Sequence, residues 1–215
     1  MMYGLLTRRW GQRTGAIPFG LVVRLRVIFH FAAVIVAISG TGCARGMWQG
    51  IRTTPADAHV LPVAGQRQVG SRCGSNALST LLAAAGDRVP ESEVGAAIQN
   101  QQADAALTVD LLLYARSRGF PADFDRGNRE LLFDTLTRGE PCILLLNLEP
   151  AAPWPLKGKP MWHYVVAYGF SRSKQIIYVH SGVGPKAIRL DKLDAMWKPG
   201  GFWMMHLGVP LTPTR

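Results

Sequence analysis

Gln68-Val69-Gly70-Ser71-Arg72-Cys73-Gly74-Ser75-Asn76-Ala77-Leu78 is a polar loop that turns into a helix, with a cysteine at the turn. From Cys73 onward Ala77, Leu78, Leu81, Leu82 and Ala85 recur on one helical face, and Gly86-Asp87 ends the run. The spacing predicts a helix over 73–85. A thiol at a helix N-terminus faces the positive end of the helix dipole. That position lowers a cysteine pKa from about 8.5 into the ~3.5–7.5 range and makes a nucleophile near neutral pH. Gln68, five residues upstream, is a natural oxyanion donor alongside the Cys73 backbone N–H, with Gln66 as its competitor. His163, ninety positions downstream, supplies the general base that acyl transfer at sulfur requires.

Beyond this helix, Pro90 and Glu91 open a short second helix reaching about Gln101, and Thr108 caps a third that Gly119 ends. Residues 120–124 read as a short strand, and Asn128 caps a helix through Leu131, Leu132 and Leu136. The C-terminal third reads as strands over 142–148, 162–170, 175–180, 186–190 and 201–209, with a short helix from Asp191 to Trp197. Helices first and strands later describe an α+β domain with its N-terminal helices packed on a C-terminal antiparallel sheet.

Trp162-His163-Tyr164-Val165-Val166-Ala167-Tyr168-Gly169 places His163 at a strand entrance, on the same face as Val165 and Ala167. That face has to meet the start of the first helix for His163 to reach Cys73. A hairpin turning at 171–174 pairs His163 with Ser181 or Gly182. No acid lies in Tyr178-Val179-His180-Ser181-Gly182, so Ser181 or a backbone carbonyl is left to orient the imidazole. The conservative description is a Cys–His dyad. His30, His59 and His206 fall in the N-terminal signal, the tether and the last strand. A zinc site from Cys73, His163 and His180 has no CxxC or HxxxH spacing behind it, so neither metal nor cofactor is expected.

The N-terminus carries a second signal. Arg24 and Arg26 precede an apolar run over 27–38 that closes on Ser39-Gly40-Thr41-Gly42-Cys43. A cationic flank, a short apolar core and small residues describe a secretory signal, and the run is too short for a membrane span of about 20 residues. Cys43 is placed for lipidation as the mature N-terminus. Ordinary cleavage near Ala44 and an uncleaved anchor are the alternatives. The domain plan is a signal over 1–43, a tether over 44–60 and a catalytic domain over 61–210. Five of the 24 basic residues and none of the 14 acidic ones precede Ala44, so removing that segment halves the formal charge from +10 to +5. The remaining cations are scattered, and nucleic acid is not an expected partner. With Cys43 lipidated, Cys73 and Cys142 remain. They either form a disulfide or leave Cys142 as a small hydrophobe in the strand Pro141-Cys142-Ile143-Leu144-Leu145-Leu146.

Four stretches, 68–78, 141–148 (Pro-Cys-Ile-Leu-Leu-Leu-Asn-Leu), 162–169 and 194–203 (Asp-Ala-Met-Trp-Lys-Pro-Gly-Gly-Phe-Trp), resemble family thirty-nine of the cysteine peptidases. These are papain-like enzymes that, as domains of export transporters, remove double-glycine leaders from bacteriocins. The resemblance covers about residues 60–209. It implies a papain-like fold with Cys73 as nucleophile, His163 as base and Gln68 as oxyanion donor. The family's Asp-Pro after the His-bearing hairpin is replaced by Ser181-Gly182, and no transporter domain follows. The chain is similar to a stand-alone, lipoprotein-like branch.

The expected function is therefore an exported cysteine peptidase on the periplasmic side of a bacterial membrane, anchored through Cys43 and cleaving a peptide through a Cys73 thioester. Trp162 and the Trp154-Pro155 loop would rim its cleft. Two other readings use the same residues: a peptide-binding module with weak or absent catalysis, and an acyl or amide transferase.

Overall fold

The computed structural model of the chain describes residues 53–100, 105–151 and 158–208. The signal segment, Cys43, Trp154 and Pro155 lie outside the described residues. Among the described residues nine strands and five α-helices follow in order: β1 (His59–Val60), α1 (Cys73–Ala84), α2 (Glu91–Ile98), β2 (Gln99–Asn100), β3 (Ala105–Ala106), α3 (Thr108–Ser117), β4 (Ala122–Arg126), α4 (Arg129–Thr137), β5 (Cys142–Asn147), β6 (Trp162–Ser171), β7 (Ile176–His180), β8 (Pro185–Arg189), α5 (Leu190–Trp197) and β9 (Trp203–Leu207).

Six strands form an antiparallel sheet in the order β4-β9-β5-β6-β7-β8, and β1 adds a seventh beside the far end of β6. The α+β reading holds, with one addition: both faces of the sheet are covered. Leu78, Leu81 and Leu82 of α1, Val94 and Ile98 of α2, and Leu111 and Ala115 of α3 pack against Ile143, Tyr164, Val166 and Met205 on one face. Leu132 and Leu136 of α4, and Leu193, Met196 and Trp197 of α5, pack against Cys142, Leu144, Leu146, Val165, Ala167 and Met204 on the other. Two buried faces explain why β5 is an unbroken apolar run rather than an alternating one.

The caps follow the sequence at some helices and not at others. Asn128 Oδ1 accepts the Leu131 N–H at 2.8 Å, as its side chain predicts. Thr108 is instead the first residue of α3, after the extended Leu107, and caps nothing with its side chain. Asp191 sits in the first turn of α5 and pairs with Arg189 at 3.0 Å.

Residues before and within β1 are tied to the rest of the sheet. His59 and Val60 pair with Phe170 and Gly169 of β6. Asp57 accepts from Ser171 Oγ, Ser173 N and Ser173 Oγ at 2.8–2.9 Å, fastening the residues before β1 to the β6–β7 turn. His59 Nε2 bonds the Leu136 carbonyl at 2.9 Å, so this histidine joins β1 to α4. Among the described residues no helix is long and apolar enough to cross a membrane.

Candidate active site

Cys73 is the first residue of α1 and is half-buried. Arg72 precedes it as N-cap and its side chain makes no cap bond to the first-turn amides. A carboxylate fixes this helix start from the side. Glu91, at the head of α2, accepts a short bond from Ser75 Oγ and lies 3.7 Å from the Arg72 guanidinium. Its two oxygens thus hold the residues on either side of Cys73.

Gly74 has a steric reason to follow Cys73. A Cβ there would lie 2.6 Å from the Ala106 Cβ, because the short β2–β3 hairpin sits directly on the start of α1. Tyr164 Oη donates to the Ala106 carbonyl at 3.3 Å, tying that hairpin to β6.

The sulfur meets β6 through the main chain. The Tyr164 backbone N–H points at Cys73 Sγ, and the Gly74 and Cys73 amides add to it; all three favour the thiolate. Burial opposes them and prevails, holding the thiol above its ordinary pKa. The helix-dipole expectation of a depressed thiol is therefore overturned by desolvation in the resting state.

The route from β6 to Cys73 also differs from the expected one. Val165 and Ala167 face the α4–α5 core, while Tyr164 and Val166 face α1. The expected meeting of the Val165–Ala167 face with the first helix does not occur. Cys73 instead lies against the backbone of Tyr164, the residue that follows His163.

His163 Nε2 lies 3.2 Å from the Ser181 carbonyl oxygen. A carbonyl only accepts, so Nε2 carries the proton and Nδ1 is the unprotonated ring nitrogen. Of the two orienters the sequence allowed, the backbone carbonyl makes this bond. The Ser181 hydroxyl points to the Gly184 carbonyl at 3.4 Å. Burial lowers the His163 pKa, partly opposed by the Ser181 carbonyl. Beyond a bulge between Ala167 and Gly169, Val166 pairs with His180, the last residue of β7, and the carbonyl of Ser181 just past the strand end, one of the two expected partners, reaches His163.

Gln68 lies on the same edge. Its backbone N–H donates to the Gly182 carbonyl at 2.7 Å, and a Cβ on Gly182 would sit 2.5 Å from Gln68 Oε1. Its side-chain amide donates to the Gly70 carbonyl at 2.7 Å, within its own loop. Gln66 plays a separate part, with its amide donating to Ser79 Oγ at 2.8 Å and its carbonyl accepting from Asn76 Nδ2 at 3.0 Å. Those bonds seat the loop on α1. The structure thus brings Cys73, the His163–Ser181 link and Gln68 to one edge of the sheet.

Trp162, at the entrance of β6, is about half exposed and near Gly200. His206 lies in β9, with Nδ1 3.6 Å from Asp125. Cys73 and Cys142 are both free thiols. Cys73 packs with the α1–α3 core and Cys142 is fully buried in the opposite one, so the sheet separates them. Among the described residues no three His, Cys, Asp or Glu side chains gather in a metal-sized group. The Tyr164 amide, the Gly74 contact and the Glu91 clamp carry no signal that one sequence alone displays.

The fold is that of C39 peptidase domains. A C39-like peptidase from Bacillus anthracis superposes with a TM-score of 0.56 at 15% identity, over 70% of this chain and 97% of that one. The peptidase domain of Streptococcus ComA, a bifunctional ABC transporter of a quorum-sensing pathway, gives 0.53 at 18% identity over 67% and 96%. A double-glycine-motif protease from an AMS/PCAT transporter, in complex with its leader peptide, gives 0.52 at 21% identity over 72% and 95%. No family model and no curated protein matches the sequence.

Proposed function

We propose that the chain is a cysteine peptidase with Cys73 as nucleophile and His163 as base. The observation that carries this reading is the placing of Cys73 at an uncapped helix start, its sulfur against the amide of the residue following His163, whose tautomer the Ser181 carbonyl sets. In the reaction His163 Nδ1 takes the thiol proton as Sγ attacks the peptide carbonyl carbon. The Cys73 N–H and the Gln68 amide, once it leaves Gly70, hold the oxyanion. The C–N bond then breaks, His163 protonates the departing amine, and a thioester remains. Water, deprotonated by His163, attacks that thioester and releases the acid and the thiol. The resting pair is neutral thiol and neutral imidazole, since burial disfavours both charged forms.

A peptide as substrate class is supported by the leader peptide seen with a protease of the same fold. Export, and anchoring through Cys43 on the periplasmic side of a membrane, rest on the Arg24–Cys43 sequence. The 61–210 catalytic unit belongs to the same proposal, extended to Asp57 by its bonds to the β6–β7 turn. A second reading, a peptide-binding module with weak catalysis, draws on one observation: a neutral carbonyl orients His163, and it stabilises imidazolium less than a carboxylate does.

The deciding experiment incubates the purified full-length chain with a peptide library, beside Cys73→Ala and His163→Ala. Cleavage products seen by mass spectrometry and lost in both variants establish the peptidase. Peptides retained without cleavage indicate the binding module, and products joined to an added amine indicate acyl transfer.

A further inference from the structure

We propose that His180 is a positioning residue for the site: its ring holds the Ser181-Gly182 turn in the one shape that presents the Ser181 carbonyl to His163 and the Gly182 carbonyl to Gln68. The inference rests on the peptidase reading for its catalytic meaning and on geometry for its substance.

His180 is the last residue of β7 and is 8% exposed, an unusual site for an imidazole. Its Nδ1 accepts the Gly182 backbone N–H at 3.4 Å. A side-chain acceptor taking the N–H two residues on is the bonding pattern of an Asx-turn, here made by an imidazole instead of Asn or Asp. Across the ring lies Gly65, where a Cβ would fall 2.0 Å from Cδ2 and Nε2. The loop that leads to Gln68 therefore lies flat on His180, and no other residue fits at Gly65.

Three contacts then converge on one tripeptide. The Ser181 carbonyl takes the His163 Nε2 proton at 3.2 Å, the Gly182 carbonyl takes the Gln68 N–H at 2.7 Å, and His180 closes the turn from behind. Gly182 has φ +76, a conformation that needs glycine and a closing bond to persist. Burial lowers the His180 pKa, which keeps the ring neutral and its Nδ1 an acceptor at neutral pH. Without that bond the turn can relax, moving the His163 partner and the Gln68 loop together.

The test compares His180→Ala, His180→Asn and His180→Gln with wild type in the purified full-length chain. Asn restores the acceptor at the reach an Asx-turn needs, whereas Gln carries the same group one methylene too far. Two signals are read: the tautomer of the His163 ring by nitrogen NMR, and the rate of iodoacetamide alkylation at Cys73, resolved by mass spectrometry from Cys43 and Cys142. We expect wild type and Asn to show the Nε2–H tautomer at His163. Ala and Gln should show a mixed population and alkylate on the order of tenfold more slowly, since small misplacements of reacting groups carry penalties of that size. If Ala fails to fold, the Asn-to-Gln contrast decides. His163 unchanged in all variants, or Asn as impaired as Gln, overturns the proposal. The tautomer signal needs no turnover, so it decides even if no peptide is cleaved. Failure of the peptidase reading would show separately, as Cys73 alkylation indifferent to His163→Ala.

Discussion

His163 Nε2 and the Ser181 carbonyl oxygen stand 3.2 Å apart, and this bond from ring to main chain fixes the tautomer and the direction of the imidazole. The Ser181 hydroxyl faces away, toward Gly184. Ser181→Ala is therefore expected to change His163-dependent Cys73 alkylation by less than about threefold. It should cost under about 1 kcal/mol of stability, because the bond removed is long and the carbonyl stays. Loss of the His163 dependence in Ser181→Ala would reassign the orienter to the side chain.

Gly74 is expected to tolerate no side chain. A methyl there meets the Ala106 Cβ at 2.6 Å, and Ala106 is held by Tyr164 Oη. Gly74→Ala should push the β2–β3 hairpin off the start of α1 and cost about 1–3 kcal/mol, the usual range for overpacking. A denaturant midpoint equal to wild type would contradict it.

Asp57 receives three hydrogen bonds from Ser173 and Ser171, which lower its pKa to about 2 although it is exposed. Asp57→Ala is expected to free the β6–β7 turn without unfolding the sheet. Hydrogen exchange at the Ser173 amide should rise by at least tenfold, while amides of β5 stay protected. Equal loosening of β5 would mean that Asp57 holds more than the turn.

Much of this architecture is legible in the sequence because it is local. The period-3.6 face of α1, the Asn128 cap and the apolar runs of β5 and β6 each fix an element from its own residues. The contacts that build the site are not local. Which face of β6 meets α1 depends on the side of the sheet to which α4 and α5 dock, and nothing in Val165 or Ala167 records it. Counting from the turn does reach Ser181 as the partner of His163, but it shows neither the bulge at Ala167 and Gly169 nor that the carbonyl rather than the hydroxyl makes the bond. Helix position alone also misjudges the thiol pKa, because burial of the sulfur depends on β6, ninety residues away.

The pH dependence of reactivity and of stability follows from the same burial. The Cys73 pKa is raised chiefly by burial and the His163 pKa is lowered by it, so neither group is charged near neutrality. Cys73 alkylation should therefore climb with pH on the alkaline side of the ordinary thiol value of ~8.5, rather than plateau below neutrality as a preformed ion pair would. For stability, His163 and His180 both have folded pKa values below the unfolded value of about 6.5, so the folded state binds protons less readily than the unfolded one. Their contribution is complete above pH ~6.5 and is lost as pH falls below it, through the folded values. Asp57 has the same sign in a separate window: its contribution is full above 3.8 and is lost as pH falls through about 2. Cys73 has the opposite sign, and its contribution is lost as pH rises through its raised value. Urea midpoints taken across this range should fall below pH 6.5, and His180→Asn should flatten that limb by removing one of its two protons. A midpoint level from pH 8 to pH 5 in the wild-type chain would show that both rings are open to water and protonate freely.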